Sequence, residues 1–149
     1  MMKSKRFEPI QEIASTSAKD LSRAMGEAGR KVADLERKLQ QLQSYRDEYT
    51  KSSANSGASM DAVKLQNYRS FLDRLGEALR QQLKSLEHAR ADYEKKRVQW
   101  SEKRVEAESL GRVVERFRKE ERHALDQREQ REGDDAAMRV MLAAGSPLK

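Results

Sequence analysis

The sequence predicts an all-α fold: two long helices form an antiparallel coiled-coil hairpin, and the second helix is longer and overhangs the first. Three observations lead there. Ala, Leu, Glu, Lys and Arg supply 78 of the 149 residues, about half, which is the composition of long helices and coiled coils. Charged residues make up 38% and hydrophobic ones 36%, with only seven Gly, two Pro and three Phe. That leaves little turn chemistry and little bulk for a two-layer core, and argues against both a β fold and a deep catalytic pocket. Finally, apolar residues recur at alternating three- and four-residue spacing on both sides of a single interior break.

The first helix is expected over about 9–51. Pro9 suits a first helical turn, where its missing N–H is no loss. From there a positions fall at Ala18, Met25, Val32, Leu39 and Arg46, and d positions at Ala14, Leu21, Ala28, Leu35, Leu42 and Tyr49. Ile10 and Ile13 fall one step out of phase, which suggests a four-residue stutter near the start. Residues 52–58 form the hinge, with Asn55 and Gly57 supplying turn chemistry. Ser59 is the expected cap of the second helix, with Asp61 in its first turn.

The second helix is expected over about 59–131. Its a positions are Leu65, Leu72, Leu79, Leu86, Tyr93, Trp100, Ala107 and Val114. Its d positions are Tyr68, Leu75, Gln82, Ala89, Lys96, Lys103, Leu110 and Phe117. Spacing sustained over this many heptads indicates a left-handed coiled coil. A hairpin centred on Gly57 sets Tyr49 near Leu65, Leu42 near Leu72, Leu35 near Leu79 and Ala28 near Leu86. The seam weakens through Lys96 and Lys103, and the helix from about Arg118 onward has no partner. Gly133-Asp134-Asp135 reads as a second weak break, so 132–149 is expected as a short, weakly structured tail of a single coiled-coil domain spanning 1–149.

Chemistry is sparse. There is no cysteine, and the two histidines, His88 and His123, lie 35 residues apart on one helix. No metal, cofactor or catalytic site is expected, since neither spacing nor ligand number suits one. The net charge of +6 comes from 31 basic and 25 acidic residues interleaved in the manner of a solvated helix surface. Neither a nucleic acid nor a small-molecule substrate is expected as a partner. No stretch approaches the ~18 apolar residues of a spanning helix, and a cytoplasmic location is the default expectation.

One feature departs from a plain coiled coil. In an antiparallel pair the g positions of both helices line one flank, where charged residues are usual. Near the hinge this flank holds Lys38, Tyr45, Phe71 and Ala78. With Tyr49 and Tyr68 in the last seam layers, four of the chain's eight aromatic residues gather within about three turns of the tip. Aromatic side chains on a rigid surface are the usual anchors of protein recognition. The competing reading is that the rings merely lengthen the local core.

Around these residues the sequence resembles the flagellar export protein FliJ family over nearly the whole chain. The resemblance rests on Leu39-Gln-Gln-Leu-Gln-Ser-Tyr-Arg-Asp-Glu-Tyr49 before the hinge and Leu65-Gln-Asn-Tyr-Arg-Ser-Phe-Leu-Asp-Arg-Leu75 after it. The basic opening Lys3-Ser-Lys-Arg-Phe7 and the long charged second helix are also similar. It implies a non-enzymatic coiled-coil stalk that couples the flagellum-specific export ATPase to the cytoplasmic domain of the membrane export gate. It also implies contact with export chaperones in some members, and a position peripheral to the inner membrane at the export apparatus. The family's gate-binding surface carries over to Leu42, Tyr45, Tyr49, Phe71, Leu75 and Ala78. Lys38 and Gln82 depart from the family pattern, standing where Gln and His are found. By analogy to a rotor stalk, ATPase engagement falls at the far end, on Arg112, Arg116, Arg118, Lys119 and Arg122. The alternatives are the equivalent stalk of a virulence-type type III secretion system and a generic coiled-coil scaffold or chaperone.

Overall fold

A computed structural model describes residues 2–56 and 61–145. It contains two helices, α1 over Lys3–Ser56 and α2 over Ala62–Gly145, of 54 and 84 residues. The predicted class is the one observed: two long helices pack against each other, the second is the longer, and no strand occurs among the described residues. The chain divides into two compact units, a hinge unit of Lys19–Glu102 and a terminal unit of Met1–Ala18 with Lys103–Lys149.

In the hinge unit the heptad reading fixes the seam. Ala28, Leu75, Leu79, Leu86 and Ala89 are buried, and Leu86 retains only 2% of its surface. Met25, Val32, Leu35, Leu39, Leu42 and Leu72 are half-buried at the remaining seam positions. Burying one such leucine contributes on the order of 1.5–3 kcal/mol, and truncating Leu79 to Ala costs about 2–5 kcal/mol. Lys96, a seam lysine, is half-buried and carries its ammonium to Asp92 at 3.0 Å, as long cations do when they snorkel.

The register differs from the one a Gly57-centred hairpin predicts. Tyr49 meets Tyr68 and Phe71 rather than Leu65, and Leu65 stays 39% exposed. Gln82 Nε2 donates to the Leu35 carbonyl at 3.3 Å, on the residue expected to face Leu79. The cause lies in the helix ends: α1 runs on to Ser56 and α2 starts only at Ala62, so opposing positions shift along α2. Asp61, expected inside the first turn, is itself the cap. Its Oδ1 accepts the Lys64 N–H at 2.7 Å, satisfying a donor that the first turn leaves orphaned, and its carbonyl accepts the first regular helix bond, from the Leu65 N–H at 3.0 Å. The Ser59 cap and the hinge residue Gly57 lie outside the described residues.

The terminal unit corrects several expectations. Helix α1 begins at Lys3, so Pro9 sits inside it and deprives the Lys5 carbonyl of its partner, normally a cost of ~3 kcal/mol. The turn before the proline is held by contacts to α2. Phe7 packs on Phe117 with ring centroids 5.4 Å apart, and Ser4, 3% exposed, bonds to Glu121. Ser4, Phe7, Gln11 and Ala14 continue the heptad register without a stutter, and Ile10 and Ile13 are exposed at 50% and 69%. They are out of phase because they are surface residues. The paired region therefore reaches Glu121, and the overhang starts at Arg122 rather than Arg118. The stretch expected as a weakly structured tail is helical to Gly145. Ala136, Ala137, Met138, Met141, Leu142, Ala143 and Ala144 are strong helix formers that outweigh the ~1 kcal/mol penalty of Gly133. All residues from Arg122 to Gly145 are exposed.

Candidate functional site

The hinge unit brings all six expected gate-binding residues onto one stretch of the paired helices. Leu75 is buried at 7% exposure as a seam residue, while Leu42, Tyr49, Phe71 and Ala78 are half-buried. Tyr45 is 55% exposed. The rings form a continuous cluster. Tyr49 stacks on Tyr68 with centroids 5.2 Å apart, Phe71 lies 4.4 Å from Tyr49, and Tyr45 leans on Phe71 at 6.0 Å. Such ring pairs contribute roughly 0.5–1.5 kcal/mol beyond the area they bury.

This geometry divides the aromatic residues by role. Tyr49 and Phe71 belong partly to the local core, as the competing reading supposes, because both are half-buried and pack on each other across the helix pair. The Tyr45 ring is tilted 60° to Phe71 across a centroid separation of 6.0 Å and leaves more than half of its surface to solvent. Beside it opens a groove of about 380 Å³ lined by Lys38, Gln41, Leu42, Tyr45 and Gln82. Lys38 and Gln82, the two departures from the family pattern, thus lie on the wall of the same groove. The Gln82 side chain spans the seam to α1, a tie that heptad spacing alone does not reveal.

The five basic residues expected at the far end fall in the terminal unit, but not as one free cluster. Arg112, Arg116 and Arg118 lie on the paired part of α2. Arg118 Nη2 donates to Glu8 Oε1 at 2.8 Å, and this bond raises the guanidinium pKa further. Arg122 reaches Glu115 at 3.4 Å. Arg116 lies 5.8 Å from the Phe117 ring centroid, and Lys119 is exposed. A groove of about 400 Å³ opens here, lined by Met2, Glu115, Arg118, Glu121, Arg122 and Leu125.

At this end the composition-based reading misses a charge-assisted clasp. Ser4 Oγ donates to Glu121 Oε2 at 2.6 Å, and the Ser4 N–H donates to Glu121 Oε1 at 3.0 Å. Ser4 stands in the first turn of α1, which holds no acidic residue of its own. Glu121 therefore caps α1 from the opposite helix, meeting both an orphan donor and the positive end of the helix dipole. These bonds hold the Glu121 carboxyl below the usual carboxylate range, the Ser4 hydroxyl contributing most. Only the seam position of Glu121, where an apolar residue is expected, signals this in the sequence.

Among the described residues no group of His, Cys, Asp and Glu could hold a metal ion, and no helix is long and apolar enough to cross a membrane. The arrangement is that of a helical-hairpin coiled-coil protein whose distinctive side chains lie on surfaces. A family model described as Flagellar FliJ protein matches residues 2–146, and the chain belongs to that family. Membership makes it a flagellar export-related protein. No curated protein and no solved structure matches the chain.

Proposed function

We propose that this chain is a non-enzymatic coupling component of the flagellar export apparatus. On this reading it joins the export ATPase to the cytoplasmic domain of the export gate, in the cytoplasm at the inner membrane, with export chaperones as further partners. The observation that supports it is Tyr45: a tyrosine more than half exposed, at a flank position where a coiled coil normally carries an ion, seated on a ring cluster beside a groove. Leu42, Tyr49, Phe71, Leu75 and Ala78 shape and stiffen that surface. Engagement of the ATPase falls to the terminal unit, where Arg112, Arg116, Arg118, Lys119 and Arg122 are all exposed and lead into the exposed α2 segment beyond them. A mixed-charge surface of this kind favours rapid, salt-sensitive docking.

The test is co-purification with the export ATPase and with the isolated gate domain, for the native chain and for Tyr45→Ala. The Tyr45 ring is mostly solvent-exposed, so its removal should change stability by no more than about 1 kcal/mol. Gate binding should weaken by about 2 kcal/mol or more, the contribution of an aromatic anchor. Phe71→Ala is a poorer probe, because Phe71 also supports Tyr49 and its loss mixes folding with binding. Full-strength gate binding by a folded Tyr45→Ala chain would remove this surface from the proposal.

A further inference from the structure

The net charge is not spread evenly. Residues 37–84 hold nine Lys and Arg against five Asp and Glu, so four of the six net positive charges fall on about a third of the chain, around the ring cluster. On the flank itself the g positions read Lys38, Tyr45 and Ser52 on α1, and Lys64, Phe71, Ala78 and Ser85 on α2. It carries no carboxylate. Lys38 lies one heptad before Tyr45 and Lys64 one heptad before Phe71. Because the helices run antiparallel, the two lysines bracket the Tyr45–Phe71 pair from opposite sides, each about 10 Å along its helix.

Neither ammonium makes an ion pair within the described residues. Asp34, the carboxylate four residues before Lys38, is held by Arg37. Asp61, three residues before Lys64, accepts the backbone N–H of Lys64 as the helix cap. Some other charges of the same unit are matched: Glu36 and Arg90 pair across the helices at 3.0 Å, and Arg80 pairs with Glu77 at 2.7 Å. Two cations without an ion pair thus bracket an apolar ring pair on a flank whose g positions hold no carboxylate, while Glu48 and Arg37 line a second groove beside Tyr45; the flank itself is net positive. Such a surface complements a partner of opposite sign and rejects one of its own.

We infer that the partner seated on Tyr45 and Phe71 presents an apolar side chain to the groove, with carboxylates on either side that Lys38 and Lys64 read. This rests on the proposed recognition surface and adds the chemistry of its partner. Exposed charges act mainly on encounter and are screened within a Debye length of about 10 Å at 0.1 M salt. The lysines should therefore set the salt dependence of binding, while Tyr45 sets its strength.

The test is titration of the isolated gate domain with the full-length native chain, Lys38→Gln/Lys64→Gln and Tyr45→Ala, each at about 0.05 M and about 0.5 M NaCl, conditions that bracket strong and weak screening. The expected result is that the lysine double variant melts like the native chain. Its binding should be roughly tenfold weaker at low salt and indistinguishable at high salt, as loss of screened attraction requires. Lys38→Glu should weaken low-salt binding further. Unchanged or tighter low-salt binding by the lysine variants, with Tyr45→Ala still impaired, overturns the acidic partner and leaves the recognition surface standing. Native-strength binding by Tyr45→Ala overturns both.

Discussion

At the scale of single residues, Glu121 has two effects that its place in a hydrophobic seam would not suggest. It accepts both donors of Ser4, and its carboxyl is held below the usual range as a consequence. A carboxylate whose folded pKa is depressed stabilises the folded form above its unfolded pKa, and that contribution disappears as pH falls through the folded value. The start of α1 should accordingly loosen under acid while the hinge unit keeps its structure. Helical chemical shifts of residues 3–7 should move toward coil values between about pH 5 and pH 2 in the native chain. Glu121→Gln should hold those residues in one state across the window, because its amide does not titrate. An acid transition at residues 3–7 that persists in Glu121→Gln would assign the effect to another group. Glu94, held low by its bond to Arg97 three residues on, titrates within a single helix turn and should leave the start of α1 untouched.

At the scale of elements, the seam was legible and the ends were not. Position in the heptad predicts which residues are half-buried or buried from Ala14 to Tyr49 and from Tyr68 to Phe117, because period and burial are the same geometric fact. Within those ranges Arg46 is the exception, and Leu65, the expected seam position just before Tyr68, is exposed as well. Helix ends depend instead on single caps and contacts distant in sequence. Asp61 displaces the expected cap, and Phe117 and Glu121 hold a helical turn ahead of a proline that would otherwise mark the start. The ring cluster was legible as a group, yet the division between Tyr45 and Phe71 needed the actual register. The glycines of α1 offer a check on this picture. A Cβ at Gly26 would meet nothing within 4 Å, whereas one at Gly29 would touch Tyr93 Cε2 at 3.4 Å. Replacing a helix-interior glycine with alanine gains roughly 0.5–1 kcal/mol where space is free. Gly26→Ala should therefore raise the melting temperature, and Gly29→Ala should gain at least as much, since its methyl group would meet the Tyr93 ring at ordinary van der Waals distance. A loss at Gly29 beside a gain at Gly26 would mean that the Tyr93 ring packs closer to Gly29 than van der Waals contact allows.

At the scale of the whole molecule, the two compact units separate at Ala18/Lys19 and Glu102/Lys103, beside the stretch where lysine replaces leucine in the seam. Each unit has its own apolar centre. Leu79, Leu86 and Ala89 serve the hinge unit, and Ala14, Val114 and the Phe7–Phe117 pair serve the terminal one. Beyond them α2 continues from Arg122 to Gly145 with every residue exposed. Met138, Val140, Met141 and Leu142 stand at 59–71% exposure. A helix with so little covered surface adds almost nothing to the stability of either unit. Where the cut is made decides what truncation can teach. A chain ending after Phe117 loses Arg118 and Glu121, the partners of Glu8 and Ser4, and would frays the start of α1 as well as removing the overhang. A chain ending after Arg122 removes only uncovered helix. That shorter chain should melt within a few degrees of the native one, the shift that ~0.5 kcal/mol produces in a domain of this size. It should bind the gate domain at native strength, because Tyr45 and its supporting rings lie in the other unit. ATPase stimulation should fall, since the proposed contact loses most of its accessible surface. Gate binding and ATPase stimulation lost together would contradict the assignment of one partner to each unit, and stimulation at the native level would restrict the ATPase contact to residues up to Arg122.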